Sequence, residues 1–284
     1  MGRLTNKRFW DKLYDEHKKL ENDKNFKRYT FRNLVKFVFG EEMLKYTESY
    51  ADYFLWEKIY KKFIPKNKKM KVLEVGSAPG HFLVNLYKRF GYEPYGVEYS
   101  KSGVKINRNI FKFYKINPNN VIYADFLSNE FQNKYKENFD MVVSRGFAEH
   151  FIDARDIIEK HKNLLKKEGI ISISIPNFRR INYFLLKFFY KELIREHNMN
   201  IMQKSYFLRL FESSDILKLF CNYYGVFNFN IFNAKQNSLR KFILVICKKI
   251  QLIMNIIFHF LLKNRKFDSK LFSPYIIFIG IKKG

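Results

Sequence analysis

The residues most able to do chemistry start at Glu74, an acidic side chain followed by Val75-Gly76-Ser77-Ala78-Pro79-Gly80, a glycine-rich turn that ends an apolar run and opens a helical one. Gly76 lets the backbone come close to a ligand with no Cβ in the way, and Gly80 lets the helix amino end start tightly. A glycine turn alone is a weak signal, and Ala78-Pro79 spoils the three-glycine dinucleotide pattern. The signal sharpens with Glu98, a carboxylate 22 residues after Gly76. Placed there, it can accept both hydroxyls of a ribose, at roughly 1.5–3 kcal/mol per charged hydrogen bond. Asp125, in Tyr123-Ala124-Asp125-Phe126, is placed to accept from an exocyclic adenine amine, with Phe126 beside it to pack on the ring. Plainer roles stand next to each: Glu74 orienting the turn through backbone N–H groups, Glu98 as a solvated strand-end carboxylate, Asp125 as a helix cap.

Two histidines offer proton chemistry. His150, in Arg145-Gly146-Phe147-Ala148-Glu149-His150, and His197 titrate near neutrality and suit proton removal from an acceptor. Such a Glu-His pair is also often architectural. Trp10 and Tyr14 can close over a site, although core packing is the ordinary reading for both. Cys221 and Cys247 have no CxxC spacing and read as reduced, buried apolar residues, and no run of ligands predicts a metal centre.

Positioning these residues takes a sheet. Short apolar runs at 71–75, 95–98, 120–124, 139–144 and 169–175 alternate with helical stretches near 80–90, 101–115 and 153–166, the signature of βαβ units and a doubly wound α/β domain. Ahead of them, residues 1–66 carry apolar positions at helical spacing (Phe9, Leu13; Phe31, Leu34, Phe37; Tyr53, Trp56, Ile59, Phe63) and read as an N-terminal helical lid before a domain at 67–284. After it, residues 178–196 read as a basic amphipathic helix within a substrate lid at 178–212. Residues 213–224 read as a further helix capped by Ser213 or Ser214, and 225–232 and 275–281 as two closing strands, with an antiparallel member at the sheet edge.

Residues 242–262 are very apolar but interrupted by Lys248, Lys249, Gln251, Asn255 and His259, the last three at four-residue steps. That is too polar for a spanning helix and suits one lying at an interface or packed in the core. Arg240, Lys241, Lys263, Arg265 and Lys266 flank it, favouring an insertion at 237–266 that docks on an anionic membrane surface.

Composition sets the outer limits. With 284 residues, 47% of them hydrophobic, the chain can bury a large core, which excludes a mostly disordered or fibrous protein. The 53 basic against 27 acidic residues leave +26, attractive to phosphate-bearing partners. The same excess follows from the Lys- and Asn-rich usage of an AT-rich genome. The polar amino terminus lacks a signal-peptide core and the myristoylation pattern, so a cytoplasmic location, peripheral on the inner membrane face, is expected.

Five segments taken together, VLEVGSAPGHF (72–82), GVEYS (96–100), ADF (124–126), FDMVVSRGFAEHF (139–151) and LLKKEGIISISIPN (164–177), make residues 50–284 resemble the class I S-adenosylmethionine-dependent methyltransferases. The resemblance implies a Rossmann-like seven-stranded sheet with a reversed final strand and S-adenosylmethionine as cofactor. It places Glu74, Gly76, Ser77, Ala78 and Gly80 around the methionine part, Glu98 and Tyr99 at the ribose, Asp125 and Phe126 at the adenine, and Arg145 after the fourth strand. VSRGF after that strand replaces the NPPY or DPPY of amino-methylating nucleic-acid enzymes. The SAPG turn resembles the APGG loop of heat-shock ribosomal RNA ribose methyltransferases, but Ser144 and Arg145 stand where those carry a catalytic Asp. The apolar insertion is similar to that of bacterial surface-glycan methyltransferases. Methylation of a sugar or small-metabolite oxygen in surface-polysaccharide or lipid-linked synthesis is therefore expected, with a polyprenyl quinone or RNA as the alternative acceptor.

Overall fold

The computed structural model describes residues 2–15, 46, 48–67, 69–212, 215–234, 238–262 and 268–284. Phe31, Leu34, Phe37, the caps Ser213 and Ser214, and Lys263, Arg265 and Lys266 lie outside them. A first helix, α1, covers residues 7–15. A second, α2, runs from Tyr50–Phe54 through a widened π-helical stretch at Leu55–Tyr60 into Lys61–Phe63. Five strands follow, β1 (Lys71–Val75), β2 (Glu93–Glu98), β3 (Val121–Tyr123), β4 (Phe139–Arg145) and β5 (Leu165–Pro176), alternating with α3 (His81–Phe90), α4 (Lys101–Phe113), α5 (Asn129–Lys134) and α6 (Ala154–Leu164). The sequence also fixes where these helices begin. Ser100, Ser128 and Asp153 each accept backbone N–H groups of the first turn that would otherwise be orphaned.

The sheet order is β3-β2-β1-β4-β5-β7-β6. β1 to β5 are parallel, and β7 (Tyr275–Lys282) runs antiparallel between β5 and β6 (Ile216–Tyr224). Period-two alternation divides the core between the two faces. Leu73, Val75, Val142, Ile171, Ile173, Ile276 and Phe278 pack on one side, while Val72, Met141, Val143, Ile170, Ile277 and Ile279 meet α2 and α3 on the other.

Two features of the closing region correct the sequence reading. Residues 216–224 are a strand rather than a helix. Ile216, Leu219, Phe220, Tyr223 and Tyr224 happen to carry helical spacing, but pairing with the open edge of β7 satisfies their backbone. Residues 225–232 are not a strand: Gly225 turns at φ 84° and Asn228 caps a short 3-10 turn at Phe229–Ile231. In addition, the reversed strand β7 lies inside the sheet, and the edge strand β6 is parallel to β5. Beyond β5 the predicted single helix is α7 (Ile181–Tyr190), followed by 3-10 turns at Lys191–Glu196 and Met199–Met202 and by α8 (Lys204–Arg209); α9 spans Leu239–Leu262.

Candidate functional site

The strand order reverses between β1 and β4, and a parallel sheet opens a crevice at its carboxyl edge at such a point. The β1–α3 turn forms its floor. Gly76 has φ 69°, and a Cβ there would lie 3.0 Å from the Phe147 ring; Gly80 has φ 104°, and its Cβ would fall 2.1 Å from Asn107 Oδ1. Both positions thus require glycine on conformation and on space. Asn107 is held in turn by donating from Nδ2 to Ser77 Oγ at 2.7 Å. Ser77 and Gly80 accordingly shape the turn from behind.

Of the residues singled out in the sequence, Gly76, Ala78, Glu98, Tyr99, Asp125, Phe126, Arg145 and His150 line one cavity. Glu74, Ser77, Gly80 and His197 are not among the residues that line it. Glu74 shares the sheet face of Val72, is buried, and has an Oε2 atom with no hydrogen-bond partner. Burial raises its pKa well above the usual carboxylate value, against the pull of the Arg145 guanidinium.

Glu98 is buried at the end of β2, with Oε1 accepting the Ser100 backbone N–H at 2.8 Å. Desolvation pushes its pKa up to about 7, while backbone N–H groups of Ser100, Ala78 and Tyr99 work in the opposite direction. A carboxylate desolvated this strongly on a cavity wall is set up to accept ligand hydroxyls. Arg145 donates from Nη2 to Asp52 Oδ1 at 3.2 Å and lies 4.8 Å over the Phe82 ring. Phe126 packs edge-on against Phe147 at 5.6 Å, giving the cavity an aromatic wall.

Asp125 has a partner that the sequence did not disclose. Arg3 Nη2 donates to Asp125 Oδ1 at 2.6 Å, with its guanidinium 5.1 Å from the Tyr99 ring. The segment carrying Arg3 is stitched across the site: Leu4 N–H donates to His150 O at 2.8 Å, and Ile152 N–H to Gly2 O at 3.0 Å. Arg3, Thr5, Trp10 and Tyr14 all line the cavity, so the core-packing reading of the two aromatics does not hold. No local pattern marks Arg3, because its partner lies 122 residues away.

On the other side of the cavity the His150 and His197 rings pack tilted by 50° with centroids 4.7 Å apart, with Trp10 edge-on to His150 at 5.0 Å and Phe178 edge-on to His197 at 5.1 Å. Burial, reinforced by His197, holds His150 down to about 3; burial likewise lowers His197. Both are neutral imidazoles at physiological pH. His150 is thus an acceptor of hydrogen bonds on the wall and a weak base, while His197 backs it.

α9 resolves the polar stripe seen in the sequence. Gln251 and Asn255, 0% and 2% exposed, face the protein body. Gln251 accepts from Phe229 N–H at 2.9 Å and donates to Phe227 O at 3.2 Å and to Asn255 Oδ1 at 3.0 Å; His259 reaches Glu48 O at 3.4 Å. The stripe thereby satisfies backbone groups of a loop that forms no strand. The apolar side faces outward: Phe242 is 64% exposed, and Ile246, Ile250, Ile253, Ile257 and Phe260 are exposed as well. By length and composition α9 could also cross a membrane, contrary to the sequence reading, with a mean hydropathy of 1.7 over its most apolar stretch.

A family model described as a methyltransferase domain matches residues 47–216. No curated protein sequence matches significantly. Among solved structures, the MccD protein is similar at 18% identity and a TM-score of 0.54, over 82% of this chain and 96% of that one. The geranyl diphosphate C-methyltransferase of Streptomyces coelicolor A3(2), solved with Mg2+, geranyl diphosphate and S-adenosyl-L-homocysteine, is similar at 13% identity and 0.53, over 81% and 79%. A putative sarcosine dimethylglycine methyltransferase from Galdieria sulphuraria gives 12% and 0.52, over 82% and 85%. At these identities the structural likenesses speak to the fold.

Proposed function

Because the chain belongs to the methyltransferase-domain family, and with it to the class I S-adenosylmethionine-dependent enzymes, we propose that it methylates an oxygen of a saccharide or small metabolite presented at a membrane surface, as in surface-polysaccharide or lipid-linked glycan synthesis. The cofactor fits the cavity on two observations: the Gly76 cradle that a Cβ would fill, and the buried Glu98 carboxylate on the wall. Glu98 with Tyr99 would hold the ribose, Phe126 the adenine, and the Gly76–Ala78 backbone the methionine part. Asp125 reaches the adenine end together with Arg3. When bound, the cofactor would supply a sulfonium-activated methyl group for in-line attack by an aligned nucleophile, with S-adenosylhomocysteine as the leaving group. His150 lines the cavity on the side where the acceptor hydroxyl would sit. The N-terminal segment with Arg3, Trp10 and Tyr14 acts as the lid, and residues 178–212 border the acceptor.

The observation that carries the membrane part is the inverted amphipathicity of α9, whose polar groups bind the protein and whose apolar side faces out. Exposed Phe184 and Phe188 of α7 continue this side, with Arg240 packed 5.6 Å over the Phe188 ring. Exposed Arg180, Lys187, Lys191, Arg195, Arg240 and Lys249 surround it, a charge complement to an anionic leaflet worth about 1 kcal/mol per residue near the surface. The two sites also share a segment, since Phe178, which packs on His197, leads directly into α7. Sedimentation with phosphatidylglycerol vesicles tests this. Binding that is weakened by F242D/I253D supports it, and equal binding of the variant or none by the wild type overturns it.

A second reading has its own observation. Lys101, Lys105, Arg108 and Lys112 of α4 line a groove with Tyr123, beside the adenine end. A phosphate-bearing acceptor such as RNA would use it, and its affinity would fall steeply with salt.

A further inference from the structure

We propose that Glu149, His150 and His197 form a site for one divalent transition cation, on the acceptor side of the cavity. A carboxylate oxygen of Glu149 and one ring nitrogen from each histidine all lie within 4.8 Å of one another, a spacing that a small shift converts into a shared coordination sphere. Glu149 and His150 are adjacent in the sequence, whereas His197 arrives from the segment after β5, where Asn198 N–H donates to the Glu149 backbone O at 2.6 Å.

The hydrogen bonds around the three residues leave the ligand atoms free on the side where a cation would sit. His150 Nδ1 is 2.9 Å from Glu196 O, and His197 Nδ1 is 2.6 Å from Leu193 O. A carbonyl only accepts, so each Nδ1 carries the proton and each Nε2 exposes its lone pair. A second hydrogen bond that fixes the tautomer in this way is what metal-bound histidines commonly have. Glu149 is 1% exposed and its Oε2 has no hydrogen-bond partner; its Oε1 stands 3.9 Å from His150 Nε2, too far for a hydrogen bond to satisfy either atom. Two imidazole lone pairs thus face a buried carboxyl whose Oε2 has no hydrogen-bond partner. A divalent cation answers all three at once.

Two imidazoles with one carboxylate select Zn2+, Mn2+, Fe2+ or Co2+ over Mg2+ or Ca2+, which prefer all-oxygen shells. Three protein ligands also leave coordination positions open. His150 lines the cavity, so the open side can receive an oxygen of the acceptor. That last point rests on the hydroxyl acceptor proposed above; the cation site itself does not.

The test is titration of the chelator-treated full chain with Co2+, followed by visible absorption, with Zn2+ and excess Mg2+ as competitors. The expected result is one equivalent bound, displaced by Zn2+ and not by Mg2+, with Glu149→Gln and His197→Ala each weakening binding by at least the roughly 10–100-fold that loss of an outer-shell partner alone causes. Adenosylhomocysteine affinity, read by calorimetry in the same variants, checks folding and is expected to change little. Absence of saturable one-to-one binding by the wild type overturns the proposal by itself, whatever the variants do. So does wild-type-like Co2+ affinity in either folded variant. Failure of the acceptor reading would leave the cobalt spectrum unchanged, which keeps the two claims separable.

Discussion

Removing the Glu98 carboxylate should be the costliest single change to cofactor binding. The residue lines the cavity, and two ribose hydroxyls donating to its charged carboxylate would contribute roughly 1.5–3 kcal/mol each. Glu98→Ala therefore loses about 3–6 kcal/mol, or on the order of 10²–10⁴ in Kd. Glu98→Gln, which keeps one acceptor oxygen without the charge, loses about half of that. The wild type carries its own pH signature. Desolvation raises the group to about 7 in the free protein, and the hydroxyls bind the ionised form. Affinity should then be flat above that pH and fall as pH drops below it, approaching tenfold per unit, and Glu98→Gln should abolish the dependence. Calorimetry with adenosylhomocysteine between about pH 5.5 and 8.5 reads both effects. An unchanged affinity in Glu98→Ala, or a wild-type pH profile that persists in Glu98→Gln, would refute the ribose assignment.

Other outcomes follow from the same structure. Gly76→Ala forces a side chain into φ 69° and against Phe147, costing about 1–2 kcal/mol and weakening cofactor binding more than it lowers Tm. Arg3→Ala should leave Tm nearly unchanged, because the half-exposed pair with Asp125 contributes at most about 1 kcal/mol, yet should accelerate cofactor release in stopped-flow measurements by loosening the lid. His161 is buried between Phe126 and Phe147, with Nδ1 on Ile157 O, and burial lowers its pKa to about 4. A depressed histidine binds more protons unfolded than folded between about pH 6.5 and 4, so stability is lost as pH falls through that window. His161→Phe should flatten that loss in chemical denaturation, and an equally steep loss in the variant would contradict the assignment.

The parts of this fold that local sequence specifies were legible. Strands β1 to β5 are short, mainly apolar runs alternating with helical stretches, and the turns between them hold the caps and glycines that their geometry needs. β6 was not, since Leu219, Phe220 and Tyr223 fit a helix as well as an edge strand and only pairing with β7 decides. The same holds in the site. Gly76 and Glu98 are placed by one turn and one strand end, so spacing found them. Arg3 reaches Asp125 across 122 residues, and His197 reaches His150 from beyond β5 and α7, so neither juxtaposition leaves a local trace. The α9 stripe was visible, but its direction was not. Polar groups normally face water, and here they turn inward because the loop after Gly225 needs hydrogen-bond partners.

The acceptor is the central claim, and methyl-labelled S-adenosylmethionine incubated with the protein and a lysate of its source cell tests it most directly. Fractionation into lipid-linked and soluble saccharide, small metabolites and RNA should place the label in the saccharide or metabolite fraction, as a base-stable ether, with the lipid-linked share lost in F242D/I253D. Label recovered in RNA would contradict the account and make the basic groove along α4 the acceptor surface.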